Sequence, residues 1–311
     1  MLAEKLTLPA FAKINLGLRV LGRRPDGHHE IRTLFQTVTL HDTLTFETAP
    51  GGRLALVCSD PSIPTDETNL VLRAATALRE RFGVAAGARV RLGKVIPAGG
   101  GLGGGSSDAA VTLAALAALW GVETDARELA EIGARLGADV PFFLTGGTAL
   151  GTGTGTLIRP LADAPKMHLC VVAPGVHVST AEAYKALGAP ALTKADTAAN
   201  LSVSRAEAEF SDSLCDVWSN DFEAVVVRLY PEVGRAREAL KEAGALRVML
   251  SGSGSSVFGV FESEAEAGRA RGALGGFEGA WKVFACATLA RDEYLAALGR
   301  GAASLRPGRG A

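Results

Sequence analysis

The stretch Pro97-Ala-Gly-Gly-Gly-Leu-Gly-Gly-Gly-Ser-Ser-Asp-Ala-Ala110 decides how the chain around it is read. Six of the seven residues from Gly99 to Gly105 are glycine. Glycine loses more backbone freedom on ordering than any other residue, so such a run predicts positive φ angles or a close approach of main chain to something else. Upstream, Ala88 to Ile96 carries Val90, Leu92, Val95 and Ile96 and reads as a short strand. Downstream, Val111, Leu113, Ala114, Leu116, Ala117 and Leu119 predict a helix ending at Trp120-Gly121, with Ser106 or Ser107 as N-cap and Asp108 at the positive end of its dipole. Strand, glycine loop and helix start form a concavity of free N–H groups, which suits phosphate.

Other readings of the loop fit less well. A flexible linker rarely sits between a strand and a capped apolar helix. Gly99-x-Gly101-x-x-Gly104 matches the dinucleotide fingerprint, but any run this dense would match it. That fingerprint also requires an acidic residue at the end of a second strand about 20 positions on, whereas Glu123 and Asp125 fall in a turn between helical patterns. A Walker A loop is excluded because no Lys-Ser or Lys-Thr follows the glycines. What remains is a different phosphate loop, one ending in Ser-Ser.

The 311 residues predict about two domains. Lys plus Arg total 32 against 33 Asp plus Glu, so no global positive charge invites nucleic acid. Cys58, Cys170, Cys215 and Cys286 stand far apart without a Cys-x-x-Cys pair, which predicts reduced thiols rather than a zinc site or disulfide scaffold. The sequence carries no signal-peptide pattern and no apolar run of membrane-spanning length, so the expectation is a cytoplasmic protein with no membrane partner.

Phe11 to Val20 alternates, with Ala12, Ile14, Leu16, Leu18 and Val20 on one face and Lys13, Asn15, Gly17 and Arg19 on the other. This predicts a strand with one buried face and Lys13 and Asn15 pointing away from the core. Arg24-Pro-Asp-Gly-His-His-Glu30 is turn chemistry leading into an apolar-polar run at Ile31 to Leu40. Asn69 to Phe82, stopped by Gly83, and Ala126 to Leu136 read as helices. Asp139 lies between the second of these and Pro141, which is expected to end regular helix; read alone, Asp139 is a cap. A polar, Pro-bounded interruption at Leu161 to Pro165 suggests a domain change. Beyond it come a buried strand at Met167 to Ala173, a helix capped by Ser179-Thr180 that carries Tyr184, and an alanine-rich connection from Ala189 to Glu209. Asn220 to Glu223 reads as a helix start. Leu246 to Leu250, Ser251-Gly-Ser-Gly-Ser-Ser256 and Val257 to Phe261 read as strand, loop and strand, the second loop positioned to close over the first.

Pro97-x-x-x-Gly101-Leu-Gly-Gly-Gly-Ser-Ser107 resembles the nucleotide loop of the GHMP kinases, whose members include galactokinase, homoserine kinase and mevalonate kinase. Ala12-Lys-Ile-Asn-Leu16, Arg24-Pro-Asp-Gly-His-His29, Leu136-Gly-Ala-Asp-Val-Pro141, Pro174-Gly175 and Ser251-Gly-Ser-Gly254 extend the resemblance over roughly residues 10 to 290, and fit best the branch acting on 4-diphosphocytidyl-2-C-methyl-D-erythritol. The resemblance implies an α+β, two-domain GHMP kinase fold. Residues 1–162 would form a nucleotide-binding domain of the ribosomal protein S5 domain 2-like type, residues 163–300 a ferredoxin-like domain, and 301–311 a disordered tail.

The resemblance also implies ATP-dependent phosphorylation of the 2-hydroxyl of a substrate with a cytidine diphosphate moiety, by a monomer or homodimer. Lys13 and Asp139 would be catalytic, Asp139 as base. Pro97, Ala98, Gly99, Gly100, Gly101, Leu102, Gly103, Gly104, Gly105, Ser106 and Ser107 would bind ATP. Asn15, His28, His29, Thr180 and Tyr184 would bind substrate, with position 28 and Tyr184 as aromatic faces about the cytosine and His29 bonding to it. The chain departs from the branch at His28, where tyrosine is usual. Magnesium is expected for the chemistry, but no carboxylate identifies itself as its ligand. A homoserine or mevalonate kinase, or an inactive nucleotide-binding regulator, are the alternatives.

Overall fold

The computed structural model describes residues 5–192, 218–276 and 281–305. It opens with two long antiparallel strands, β1 (Lys5–Arg23) and β2 (His29–Ala49), joined by the Pro-Asp-Gly turn. Pairing across this hairpin carries both strands well beyond the segments whose alternation is visible in sequence. With β3 (Leu54–Cys58), β4 (Gly87–Gly93), β5 (Thr148–Thr152) and β6 (Leu157–Pro160) they form one sheet in the order β3-β4-β2-β5-β6, β1 lying along β2.

The expectation of one solvated face on β1 is corrected. Lys13 is 3% exposed and Asn15 1%. Ala12, Ile14 and Leu16 pack against Leu169, Val171, Met249 and Phe258 of the second half of the molecule. The opposite face meets the first core, where Lys13 lies over the Phe35 ring, so the strand is buried on both sides. Register shifts at Phe11/Ala12 and Asn15/Gly17 bracket the Lys13 segment. Such bulges re-aim side chains beside functional sites.

Helix α1 (Leu70–Phe82) starts where the Asn69 side chain accepts a hydrogen bond from Val71 N and stops at left-handed Gly83. α2 (Gly104–Trp120) is apolar around its circumference and buried from Ser107 to Ala117, as an all-apolar helix must be. α3 (Ala126–Leu136) is amphipathic, capped by Asp125 and buried through Leu129 and Ile132. The short α4 (Val140–Phe143) follows Asp139 directly. Pro141 therefore sits in the first turn of a helix rather than ending one, where its missing N–H costs nothing.

The second sheet holds β7 (His168–Ala173), β8 (Arg247–Leu250), β9 (Val257–Phe261) and β10 (Lys282–Ala287) in the order β10-β7-β9-β8. α5 (Thr180–Leu187), α6 (Glu223–Leu229) and α7 (Pro231–Glu242) come between its first two strands and α8 (Glu264–Leu274) before its last. That order of elements is ferredoxin-like. The expected boundary near residue 162 falls between the sheets, but α9 (Arg291–Leu298) and the 3-10 turn Gly299–Leu305 return to the first one. Tyr294, Leu298, Ala302 and Leu305 are buried in its core. Residues 301–305 are thus packed structure, not tail. The remaining tail from 306, Cys215 and most of the alanine-rich connection lie outside the described residues. Among the described residues no helix is long and apolar enough to cross a membrane.

Candidate active site

Gly99, Gly101 and Gly103 all have positive φ, at 68°, 77° and 72°. Gly103, left-handed, is the N-cap of α2, so the helix begins at Gly104 and neither Ser106 nor Ser107 caps it as the sequence suggested. A glycine can make that turn directly, and the serines fall within the first helical turn. Ser107 is buried and its hydroxyl has no hydrogen-bond partner. The loop is held by its carbonyls. Leu102 O accepts from Lys13 N at 3.0 Å, and Gly100 O accepts from Ser256 N at 3.0 Å. Gly101 O accepts from Ser251 Oγ, also at 3.0 Å. The second glycine-serine loop does close over the first, and so tightly that a Cβ on Gly101 would lie 2.2 Å from Ser251 O. With the carbonyls engaged, the first N–H groups of α2, which have no helical partner, are the ones left to serve a ligand.

Asn220 fixes that second loop. Its side-chain amide donates to Leu250 O at 2.9 Å and Gly252 O at 2.8 Å, while its Oδ1 accepts from Phe222 N at 3.0 Å. As read from sequence it is only a helix start. The tether becomes visible once β8 lies beside it.

Lys13 Nζ lies 3.4 Å from Asp139 Oδ2 and donates to Asn15 Oδ1 at 2.8 Å. Asn15 in turn donates to Thr33 Oγ1 at 2.7 Å, and Thr33 to Gly17 O at 2.9 Å, so the lysine is oriented by a buried chain of bonds. The Asp139 side chain, 30% exposed, opens to the cleft. A fixed buried ammonium beside an accessible carboxylate can accept a proton at the carboxylate and offset negative charge at the ammonium.

Both groups line a cavity of about 1260 Å³ that runs from Gly101 and Ser106 to Tyr184 and Phe222. At that far end the arrangement differs from the one expected. His29, not His28, stacks on Tyr184, with ring centroids 4.1 Å apart and planes 16° apart. Phe222 meets Tyr184 edge-on at 4.8 Å. His28 is the last residue of an open turn, its side chain 71% exposed and its Nδ1 3.4 Å from Asp26. The strand pairing of β2 begins at His29, and this turns the two imidazoles apart. Burial, with the Arg23 charge nearby, lowers the His29 pKa and favours a neutral ring. Burial, reinforced by the Asp139 charge, pushes the Tyr184 phenol up to about 12. Thr180 Oγ1 lies 2.9 Å from Ser253 Oγ, linking the start of α5 to the second loop.

Beneath the glycine loop stand two charged residues that the sequence does not single out, Asp42 and Lys94, with a third, Asp108, that it places only at a helix start. Asp42, from β2, is fully buried; its Oδ1 accepts from Val95 N at 2.5 Å and Ile96 N at 2.8 Å, and its Oδ2 from Lys94 Nζ. Lys94 also reaches Asp108 Oδ2 on α2 at 3.2 Å. Asp108 is therefore bonded to a lysine, not placed simply against a helix dipole. Nothing in their spacing marks these residues, because three separate elements bring them together.

Comparison with known proteins gives the family. A model of the GHMP kinases N terminal domain matches residues 69–147, and one of the GHMP kinases C terminal domain matches residues 198–278. A 4-diphosphocytidyl-2-C-methyl-D-erythritol kinase of Prosthecochloris aestuarii is 41% identical over 268 residues, 86% of this chain and 93% of its own. The chain belongs to the GHMP kinases. A second relative of this GHMP kinase, from Pelotomaculum thermopropionicum and of the same name, is 43% identical over 255 residues, covering 82% of this chain and 88% of that one. Among solved structures, a 4-(cytidine 5'-diphospho)-2C-methyl-D-erythritol kinase superposes with TM-score 0.72 at 37% identity, over 91% of this chain and 99% of that one. Homoserine kinase from Cytophaga hutchinsonii superposes with TM-score 0.70 over 94% and 97% of the two chains, but at 20% identity it attests the fold alone.

Proposed function

We propose that this GHMP kinase transfers the γ-phosphoryl group of ATP to the 2-hydroxyl of 4-diphosphocytidyl-2-C-methyl-D-erythritol, a step of isoprenoid precursor synthesis. The observation that carries the reading is the Lys13–Asp139 pair, 3.4 Å apart, in one cavity with the glycine loop and an aromatic stack. Phosphoryl transfer asks for positioning and charge neutralisation more than covalent chemistry. The loop N–H groups and the α2 dipole hold the triphosphate. Asp139 takes the proton of the attacking hydroxyl, and Lys13, held by Asn15, offsets the charge developing beside it. Neutral His29, stacked on Tyr184, offers its open face to the cytosine, while His28 stands at the rim.

Among the described residues no three or more His, Cys, Asp or Glu side chains stand together to hold a metal. A magnesium ion would enter this site with ATP, where it would neutralise phosphate charge. A coupled ATPase assay with 4-diphosphocytidyl-2-C-methyl-D-erythritol, homoserine and mevalonate as acceptors tests the reading. Turnover is expected with the first alone, and turnover with mevalonate in its place would overturn it.

A further inference from the structure

Beneath the glycine loop, two carboxylates share one ammonium in a dry site. The side chains of Asp42, Lys94 and Asp108 are 0%, 6% and 4% exposed. Such a cluster carries a net negative charge if all three are ionised, and burial opposes that, so one carboxylate is driven to hold a proton. Hydrogen bonding decides which. Asp42 accepts from two main-chain amides and from Lys94, which stabilises its charge. Asp108 accepts from Lys94 through Oδ2 and lies against the Asp42 carboxylate, which opposes its charge; its buried Oδ1 has no hydrogen-bond partner.

Asp108 also sits close to where the phosphates go. It is four residues beyond Gly104, about 6 Å along the axis from the start of α2. Lys94 Nζ lies directly under the loop, 2.8 Å from where a Cβ on Gly104 would stand. A polyanion settling on this helix start adds negative potential at Asp108 and favours its neutral form.

Of the charged groups on elements packed against α2, Asp42 and Lys94 are the ones that act on Asp108. Lys13 of β1 is turned toward Asn15 and Asp139. On α1, Arg79 donates to Gly52 O and Arg81 pairs with Glu128 of α3, while Arg73 and Glu80 are exposed. Arg127, Glu131 and Arg135 of α3 and Arg300 of the 3-10 turn are exposed as well.

We propose that ATP binding to the glycine loop is coupled to the uptake of a proton by Asp108. The proton comes from solvent and rests on the Asp108 carboxyl group, which then faces the Asp42 carboxylate as a neutral acid. The inference rests on the kinase reading only for ATP as ligand, and is independent of which alcohol is phosphorylated. Burial, only partly offset by Lys94, raises the Asp108 carboxyl well above the usual carboxylate range. Binding raises it further, so affinity for ATP falls as pH rises through the titration of this group.

The test is calorimetry of ATP binding without acceptor, magnesium saturating, in buffers of different ionisation enthalpy. The expected result is net uptake of a fraction of a proton per ATP between about pH 6.5 and about pH 8.5, with affinity three- to tenfold weaker at the upper end than at the lower. Asp108→Asn should bind ATP without uptake and with a flatter pH dependence. His177→Asn is the control for the imidazole that faces Gly99 across the cleft, and should retain uptake. No uptake by the unaltered protein would overturn the proposal whatever the variants do. Uptake that survives Asp108→Asn or vanishes in His177→Asn would overturn it too. Absence of any ATP binding would instead bring down the kinase reading, and this inference with it.

Discussion

At the glycine-loop end the cleft offers main-chain groups, held by Ser251, Ser256 and Lys13 through the carbonyls of Gly100, Gly101 and Leu102. At the far end it offers side-chain rings, one of them on the first residue of β2 just after an exposed turn. A backbone cradle built on positive φ admits almost nothing but glycine, so its chemistry is written plainly in residue type. A ring stack depends on which way a strand turns two neighbouring histidines, and residue type does not record that. The difference teaches that one end of the cleft is fixed by backbone conformation. The other is fixed by side-chain orientation, and on the proposed reading these are the ends that hold ATP and choose the acceptor.

Substitutions at the two ends should separate accordingly. Asp139→Asn keeps the shape of the carboxylate but cannot accept a proton, and should lower kcat by roughly a hundred- to ten-thousandfold with the fold intact by circular dichroism. Near-normal turnover would remove Asp139 from the base role. Gly101→Ala meets both a positive φ and the Ser251 carbonyl, a strain of about 1–3 kcal/mol or more. ATP binding measured by calorimetry should weaken roughly ten- to a hundredfold, and an unchanged Kd would mean that the interlocked loops do not form the ATP site. At the other end, His29→Ala should raise KM for the cytidyl substrate about five- to a hundredfold with ATP affinity untouched, since base stacking is worth about 1–3 kcal/mol. His28→Ala should change that KM less than about twofold, because its side chain is solvated. If the two histidines exchanged these effects, the stack observed on Tyr184 would not be the nucleoside site.

The smallest effect on chemistry is expected from Tyr294→Phe. The phenol donates to Phe143 O at the end of α4, the helix that begins at Asp139, and its ring packs on Phe11. Losing the hydroxyl leaves a buried carbonyl unpaired, and should cost about 1–3 kcal/mol in chemical denaturation with a smaller change in kcat. A large loss of kcat without loss of stability would extend the active-site machinery to this residue.

Where function depends on local chain chemistry, the sequence was sufficient. The glycine loop, α1 with its Asn69 cap and Gly83 stop, α3 and both strands flanking the second loop appear where spacing places them. Where partners are distant, it was not. Lys13 looks solvated by alternation and is buried, because a second sheet covers one side of β1 and the first core the other. Asp42, Lys94 and Asp108 are unremarkable until β2, the end of β4 and α2 converge. α2 starts three or four residues before the serines expected to cap it, because Gly103 makes the turn expected of a serine.

The return of α9 and the 3-10 turn to the first sheet has a temporal meaning. Tyr294, Leu298, Ala302 and Leu305 fill a core whose other members all precede residue 150. A ribosome making about 5–20 residues each second needs on the order of ten seconds or more to travel from one to the other. Throughout that interval the nascent nucleotide-binding half carries an open apolar slot beside Phe11 and Phe143, and the ferredoxin-like half is finished first. The half that carries the glycine loop is thus the last to close, after the second domain has already been made.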